Sequence, residues 1–188
     1  MVKKRIFDLL LVLVGCMALA VPMLLVFIAV RLTSPGPALY WSVRVGRNNQ
    51  TFSMPKFRSM CVRTPLAASR DLQNPENYIT LVGSFLRKSS IDELPQLWSI
   101  FRGDMSFVGP RPVILQETDL TELRTLHNVH TLQPGLTGWA QVNGRDALSV
   151  PEKVKLDAEY LQRKSLAFDA HIIWLTFLIV LKRAGISH

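Results

Sequence analysis

The chain has 188 residues, enough for one catalytic domain with a modest core beside a membrane segment and too few for two independent domains. It carries 22 Lys and Arg against 14 Asp and Glu, a net charge of +8, and 48% of its residues are hydrophobic. Basic and apolar together point to an anionic membrane surface and argue against nucleic acid, which needs a solvated basic face rather than one long apolar run. The two cysteines, Cys16 and Cys61, have neither metal-ligand spacing nor the pattern of a disulfide framework.

From Leu9 to Val30 the chain has 22 consecutive uncharged residues, slightly more than the roughly 20 that cross a bilayer as a straight helix. Lys3, Lys4 and Arg5 before it, and Ala18, Leu19 and Ala20 within it, imitate a signal peptide. The apolar run continues for ten residues beyond that point, so the segment reads as a permanent anchor. Pro22, just past its middle, removes a helical hydrogen bond and crowds the preceding turn. Arg31, Arg44, Arg47, Lys56 and Arg58 follow the run, so basic residues flank both sides and the positive-inside tendency holds both ends in the cytoplasm. A re-entrant hairpin over residues 1–33 satisfies both flanks; a kinked bitopic helix is the alternative.

Ser34, Pro35, Gly36 and Pro37 form a turn that opens a domain expected over residues 34–188. Alternating apolar positions in Tyr40 to Val45 and Thr51 to Met54, around Gly46 to Asn49, read as a β-hairpin. A polar loop is expected over residues 63–77. Helical patterning covers about Ile79 to Lys88, Leu94 to Phe101, Thr118 to His130 and Pro151 to Arg163, with a loop from Gln133 to Asp146. A last helical stretch, Phe168 to Arg183, mixes large apolar residues with Asp169 and His171 and suits the plane of the interface. The fold class expected is α+β, predominantly α.

The densest chemical signal runs Ser89, Ser90, Ile91, Asp92, Glu93, Leu94, Pro95, followed by Gly103 to Ser106 and then Gly109, Pro110, Arg111 and Pro112. Ser90 and Glu93 have capping-box spacing, and a second frame makes Asp92 the N-cap with Pro95 in the first turn. Either frame places the carboxylates at a helix start, where backbone N–H donors hold a carboxylate ionised as a nucleophile or magnesium ligand. Arg111, stiffened by its two prolines, can grip phosphate oxygens bidentately or form a surface salt bridge. Lys56, Arg58, Arg87 and Lys88 suit diphosphate or lipid headgroups, or simply a solvated face. His127, His130, His171 and His188 show no partner pattern, and no glycine-rich P-loop or dinucleotide fingerprint is present.

At these residues the sequence resembles the bacterial sugar transferases, the monotopic phosphoglycosyl transferases that begin glycan assembly on undecaprenyl phosphate. The similarity covers Lys4, Arg5, Phe7 and Asp8, Pro22, Ser34 to Pro37, Lys56 to Met60, Leu86 to Leu97, Gly103 to Pro112, and Pro134 to Arg145. It departs at Val21, where some members have serine, and at Tyr78 and Gln133, where many have basic residues. Larger relatives carry further N-terminal helices and another domain, so a minimal form is expected.

The resemblance implies a re-entrant membrane helix broken at the proline, a catalytic domain on the cytoplasmic face of the bacterial inner membrane, and a two-step, magnesium-dependent reaction. Asp92 would be the nucleophile and a magnesium ligand, with Glu93 assisting metal or proton handling. Arg87 and Arg111 would bind phosphates. Pro134 to Arg145, including Gln141, Asn143 and Arg145, would shape the UDP-sugar pocket, and the partners would be UDP-sugar, polyprenol phosphate and membrane lipids. A catalytically inert membrane scaffold, or a phosphohydrolase using an aspartyl phosphate, would share part of this pattern.

Overall fold

The apolar run folds as one helix, α1 (Val2–Thr33), in a computed structural model that describes residues 2–64, 75–144 and 147–184. Pro22 lies inside it, and helical geometry continues on both sides, as long apolar helices tolerate. Only Asp8, Val12 and Val30 of α1 are buried, while Leu10, Leu13, Met17, Val21 and Leu25 stand exposed. That surface is long and apolar enough for a membrane.

Both ends of α1 dock on the same domain. Near its start, the Arg5 guanidinium donates to the Ile100 and Phe101 carbonyls, two of the groups that a helix C-terminus leaves without partners. Asp8 accepts from Ser106 Oγ at 3.1 Å and from the Phe107 amide at 3.2 Å. Lys4 pairs with Asp169 at 2.7 Å and with Asp8 at 3.5 Å. Val12 packs against Met54, Leu97, Ile100 and Met105, and at the other end Val30 packs against Ala38, Phe57 and Leu86. α1 stays a single helix through Pro22, with no reversal of the chain inside it, and packs on the domain near both of its ends.

Strands β1 (Leu39–Val45) and β2 (Thr51–Phe57) form the expected antiparallel hairpin, in register from Leu39 opposite Phe57 to Val45 opposite Thr51. Its turn uses Asn48 and Asn49 at φ 55° and 59°, the left-handed region that asparagine tolerates. β2 runs three residues past the expected end at Met54, which brings Lys56 into the strand. The polar loop expected over residues 63–77 falls largely on residues 65–74, outside the described residues.

Helix α2 (Leu81–Ser89) starts at Thr80, whose hydroxyl accepts from the Gly83 amide at 3.0 Å. A 3₁₀ segment, Ile91–Gln96, then leads into α3 (Leu97–Arg102). The expected Leu94 to Phe101 helix is thus a tighter turn followed by a short helix, since Pro95 lacks the amide that a longer α-helix would use. Strand β3 (Ser106–Val108), helix α4 (Thr118–Leu126), strand β4 (Gly135–Thr137), helix α5 (Trp139–Val142) and helix α6 (Val150–Arg163) follow, and α7 (Leu166–Ala184) closes the described chain. α4 is shorter than the Thr118 to His130 expected, because Asn128 turns at φ 58°. A capping box does occur, at Ser149 and Glu152, where it starts α6.

β3 and β4 form a parallel pair inside what the sequence suggests is loop, with Ser106 opposite Gly135 and Val108 opposite Thr137. α7 buries Phe168, Asp169 and Ile172 and exposes Trp174, Phe177 and Leu181, so its outward face is apolar and aromatic. Leu81 and Phe85 on α2 and Trp98 and Phe101 on α3 are also exposed. The fold thus leaves large apolar and aromatic side chains of three helices on its surface.

Candidate active site

Asp92 and Glu93 sit in the 3₁₀ segment, at the reversal between α2 and α3. Ser90 occupies the left-handed region at φ 59° and its side chain makes no capping bond, so the Ser90–Glu93 capping box does not form. Asp92 lies inside the segment rather than ahead of a helix, so it is no N-cap either. The pair still opens a helical turn, but a turn too short to supply the row of free amides that the sequence suggests.

β2 packs against this segment and supplies the opposing cation. Lys56 Nζ donates to Glu93 Oε1 at 2.8 Å, and Arg111 Nη2 donates to the same oxygen at 3.2 Å. Asp92 is buried, at 9% exposure. Burial pushes its carboxyl above the usual carboxylate range; Lys56 pulls it back down, Glu93 pushes it up, and Arg87 lowers it again. A backbone hydrogen bond lowers it as well, but less than Lys56 and Arg87 do, so the cations outweigh the backbone donors that the sequence suggests, and burial outweighs both. Burial also lowers the Lys56 ammonium, against the opposing pull of Glu93.

Arg111 is positioned from both sides. The Arg124 guanidinium donates to its carbonyl at 2.8 Å while gripping Asp157 Oδ2 through Nε at 3.0 Å and Nη2 at 2.7 Å, so a buried ion pair between α4 and α6 holds the backbone of the loop that carries Arg111. On the other side, the Gly109 amide donates to the Thr137 carbonyl and the Gly135 amide to the Pro110 carbonyl, both at 2.9 Å. A Cβ at Gly135 would lie 2.1 Å from the Gly109 nitrogen, and one at Gly138 2.1 Å from the Gly109 oxygen. The glycines of the Pro134 to Arg145 motif thus let two backbones touch, and that contact sets where Arg111 begins.

The remaining sequence-based candidates disperse. Arg58 is buried and gives its Nη groups to the Ser34 carbonyl and hydroxyl and the Pro35 carbonyl, at 2.7–2.8 Å. It straps the turn that follows α1. Arg87 ends α2 and acts on Asp92 through its charge. Gln141 donates to the Leu136 carbonyl and Asn143 to the Trp139 carbonyl, so both brace α5. Arg145 lies outside the described residues. Among the described residues no group of three or more His, Cys, Asp or Glu could enclose a metal ion, which leaves Asp92 with Glu93 as the carboxylates at this site.

One residue of the cleft escaped the sequence reading. Arg44 lines it together with Met54, Lys56, Glu93, Gln96 and Arg111. Burial, then the charge of Arg111, lowers its pKa. The signal lay in the period-two pattern: Ser42 and Arg44 share a strand face, and Ser42 stands opposite Met54 in the hairpin register, both of them buried.

A family model described as bacterial sugar transferase matches residues 1–183. The chain is 41% identical to the "Undecaprenyl-phosphate glucose phosphotransferase" of Komagataeibacter xylinus, over 94% of this chain and 35% of that protein. It is 37% identical to "Uncharacterized sugar transferase EpsL" of Bacillus subtilis, over 100% of this chain and 91% of that protein. It is 38% identical to the "UDP-glucose:undecaprenyl-phosphate glucose-1-phosphate transferase" of Xanthomonas campestris pv. campestris, over 96% of this chain and 39% of that protein. The chain therefore spans little more than a third of the first and third of these relatives and nearly all of the second. With motifs, fold and similarity in agreement over almost its whole length, the chain belongs to the bacterial sugar transferase family.

Proposed function

We propose that this chain moves a sugar phosphate from a UDP-sugar to undecaprenyl or a related polyprenol phosphate, releasing UMP and initiating a bacterial surface glycan. The observation that carries the reading is a buried carboxylate, Asp92, beside a carboxylate, Glu93, that two cations hold. Two relatives whose names print an undecaprenyl-phosphate acceptor support the same substrate class.

In the first step an Asp92 oxygen attacks the β-phosphorus of the donor. The bond from that phosphorus to the bridging oxygen breaks, and its electron pair leaves with UMP. In the second step a phosphate oxygen of the polyprenol attacks the same phosphorus and the bond to Asp92 breaks, which regenerates the carboxylate. Covalent catalysis of this kind divides one difficult transfer into two. Lys56 and Arg111 face the charge that gathers on the diphosphate, and Glu93 orients both cations. Magnesium suits this donor set, because it is commonly held by one or two carboxylates together with substrate phosphates; Asp92, with Glu93 beside it, would hold it. When bound, it supplies charge neutralisation at the phosphates.

The domain belongs, on this reading, on the cytoplasmic face of the inner membrane, with basic residues at both ends of α1. The test supplies magnesium and a panel of UDP-sugars without polyprenol phosphate. The expected result is up to one UMP per active site and a retained phosphosugar that peptide mapping places on Asp92. Asp92→Asn should fold, insert and be essentially inactive. An active Asp92→Asn protein, or an adduct on another residue, would overturn the assignment.

A further inference from the structure

The cleft beside Asp92 is lined by three cations, Arg44, Lys56 and Arg111, and one carboxylate, Glu93. Lys56 and Arg111 both donate to Glu93 Oε1, so that carboxylate serves two of the three. Arg44 projects from β1, and its Nε donates to Ser42 Oγ at 2.9 Å on the same strand. That bond fixes the guanidinium plane and leaves the Nη donors for a ligand. Glu117 acts on Arg44 from outside the lining. Drawing three like charges together out of water costs free energy, and an apolar residue at an inward strand position would pack there without that cost. The arrangement is favourable once an anion occupies the cleft.

We propose that Arg44 is a further donor-binding residue, which with Lys56 and Arg111 cradles the diphosphate of a nucleoside diphosphate sugar. The inference rests on the donor reading above and adds the residue and the group it grips. Charge supports an anion: three cations stand against one carboxylate in the lining, which is net positive. Geometry agrees. Arg44 and Lys56 come from opposite strands of the hairpin and Arg111 from the loop after β3, so the cations reach the cleft from three different segments. A guanidinium fixed at Nε can present its two Nη donors in parallel to phosphate oxygens.

The test uses the purified full chain in lipid nanodiscs, with inorganic diphosphate and UDP as probes of direct binding. Arg44→Gln removes the charge but keeps a donor within reach of Ser42, and Arg44→Lys restores charge without the fork. Arg44→Gln should weaken both probes by on the order of ten- to a hundredfold, the worth of a charged hydrogen-bonded contact, with Arg44→Lys intermediate. The KM for UDP-sugar should rise by the same factor while the KM for polyprenol phosphate stays put. Ser42→Ala, which removes only the bond to Nε, should weaken both probes by a few fold, less than Arg44→Gln does, because the fork keeps its charge and loses its fixed plane. Wild-type binding by Arg44→Gln refutes the role of Arg44 alone, as does a KM change that falls on polyprenol phosphate instead. A wild-type chain that binds neither probe and turns over no UDP-sugar removes the donor reading itself. If Arg44→Gln fails to fold, Arg44→Lys decides: diphosphate affinity equal to wild type shows that the fork grips nothing.

Discussion

Replacing Arg124 by methionine separates the stability of the fold from the placement of Arg111. Arg124 and Asp157 are buried, at 8% and 1% exposure, and joined by two short bonds to one carboxylate oxygen. Removing one partner of such a pair leaves an unpaired buried charge and costs about 3–5 kcal/mol. Burial already raises the Asp157 pKa, against the pull of Arg124, so the variant should leave that carboxyl higher still. A group whose pKa is higher folded than unfolded binds more protons in the folded state, so the deficit should shrink as pH falls toward the carboxylate range. Arg124→Met with Asp157→Leu replaces both charges by apolar groups and should recover most of the stability, because an apolar pair of similar volume matches a buried ion pair. It should not recover activity. The bond from Arg124 Nη1 to the Arg111 carbonyl is gone in both variants, and a misplacement of about 1 Å can cost on the order of a hundredfold in turnover. Denaturant titration in one fixed detergent reads the first quantity and UMP release the second. A double variant with full activity would refute the positioning of Arg111 through Arg124, and a single variant that loses under about 1 kcal/mol would refute the buried pair.

Arg111→Lys should lose most activity with little change in melting, since lysine offers a point charge where a planar fork is held between prolines; near-normal turnover would make Arg111 a surface ion pair. Gly135→Ala should destabilise the fold markedly, because its Cβ would lie 2.1 Å from a backbone nitrogen that cannot move aside; a melting curve like wild type counts against the close contact of β3 and β4. With the exposed Cys16 and Cys61 replaced, single cysteines at Val2 and at Glu122 should both resist an impermeant periplasmic reagent in intact cells. Labelling at Val2 alone would put the two ends of α1 on opposite sides.

The hairpin, the helices and the anchor were legible because each is a local pattern: alternation around an asparagine turn, apolar spacing of helical period, and an uncharged run of membrane length. Asp92, Glu93, Lys56 and Arg111 were found by type and motif; the last three line one cleft, and Asp92 is buried next to Glu93. β3 and β4 were not legible. Three-residue strands whose first positions, Ser106 and Gly135, lie 29 residues apart have no period to read, and their pairing depends on glycines whose need becomes visible only when two backbones approach.

Composition and order alone pointed to a long apolar N-terminal helix in an α+β chain, and put the carboxylate pair forward as the candidate site. Only the tertiary structure decided what each charge does. Arg58 straps a turn, Arg124 holds the backbone of Arg111, and Arg44 enters the cleft. Asp92 lost its role as a helix cap in the same way, because Ser90 turns into the left-handed region. A charged side chain at a given spacing has several partners within its reach, and burial and the backbone path between them select one.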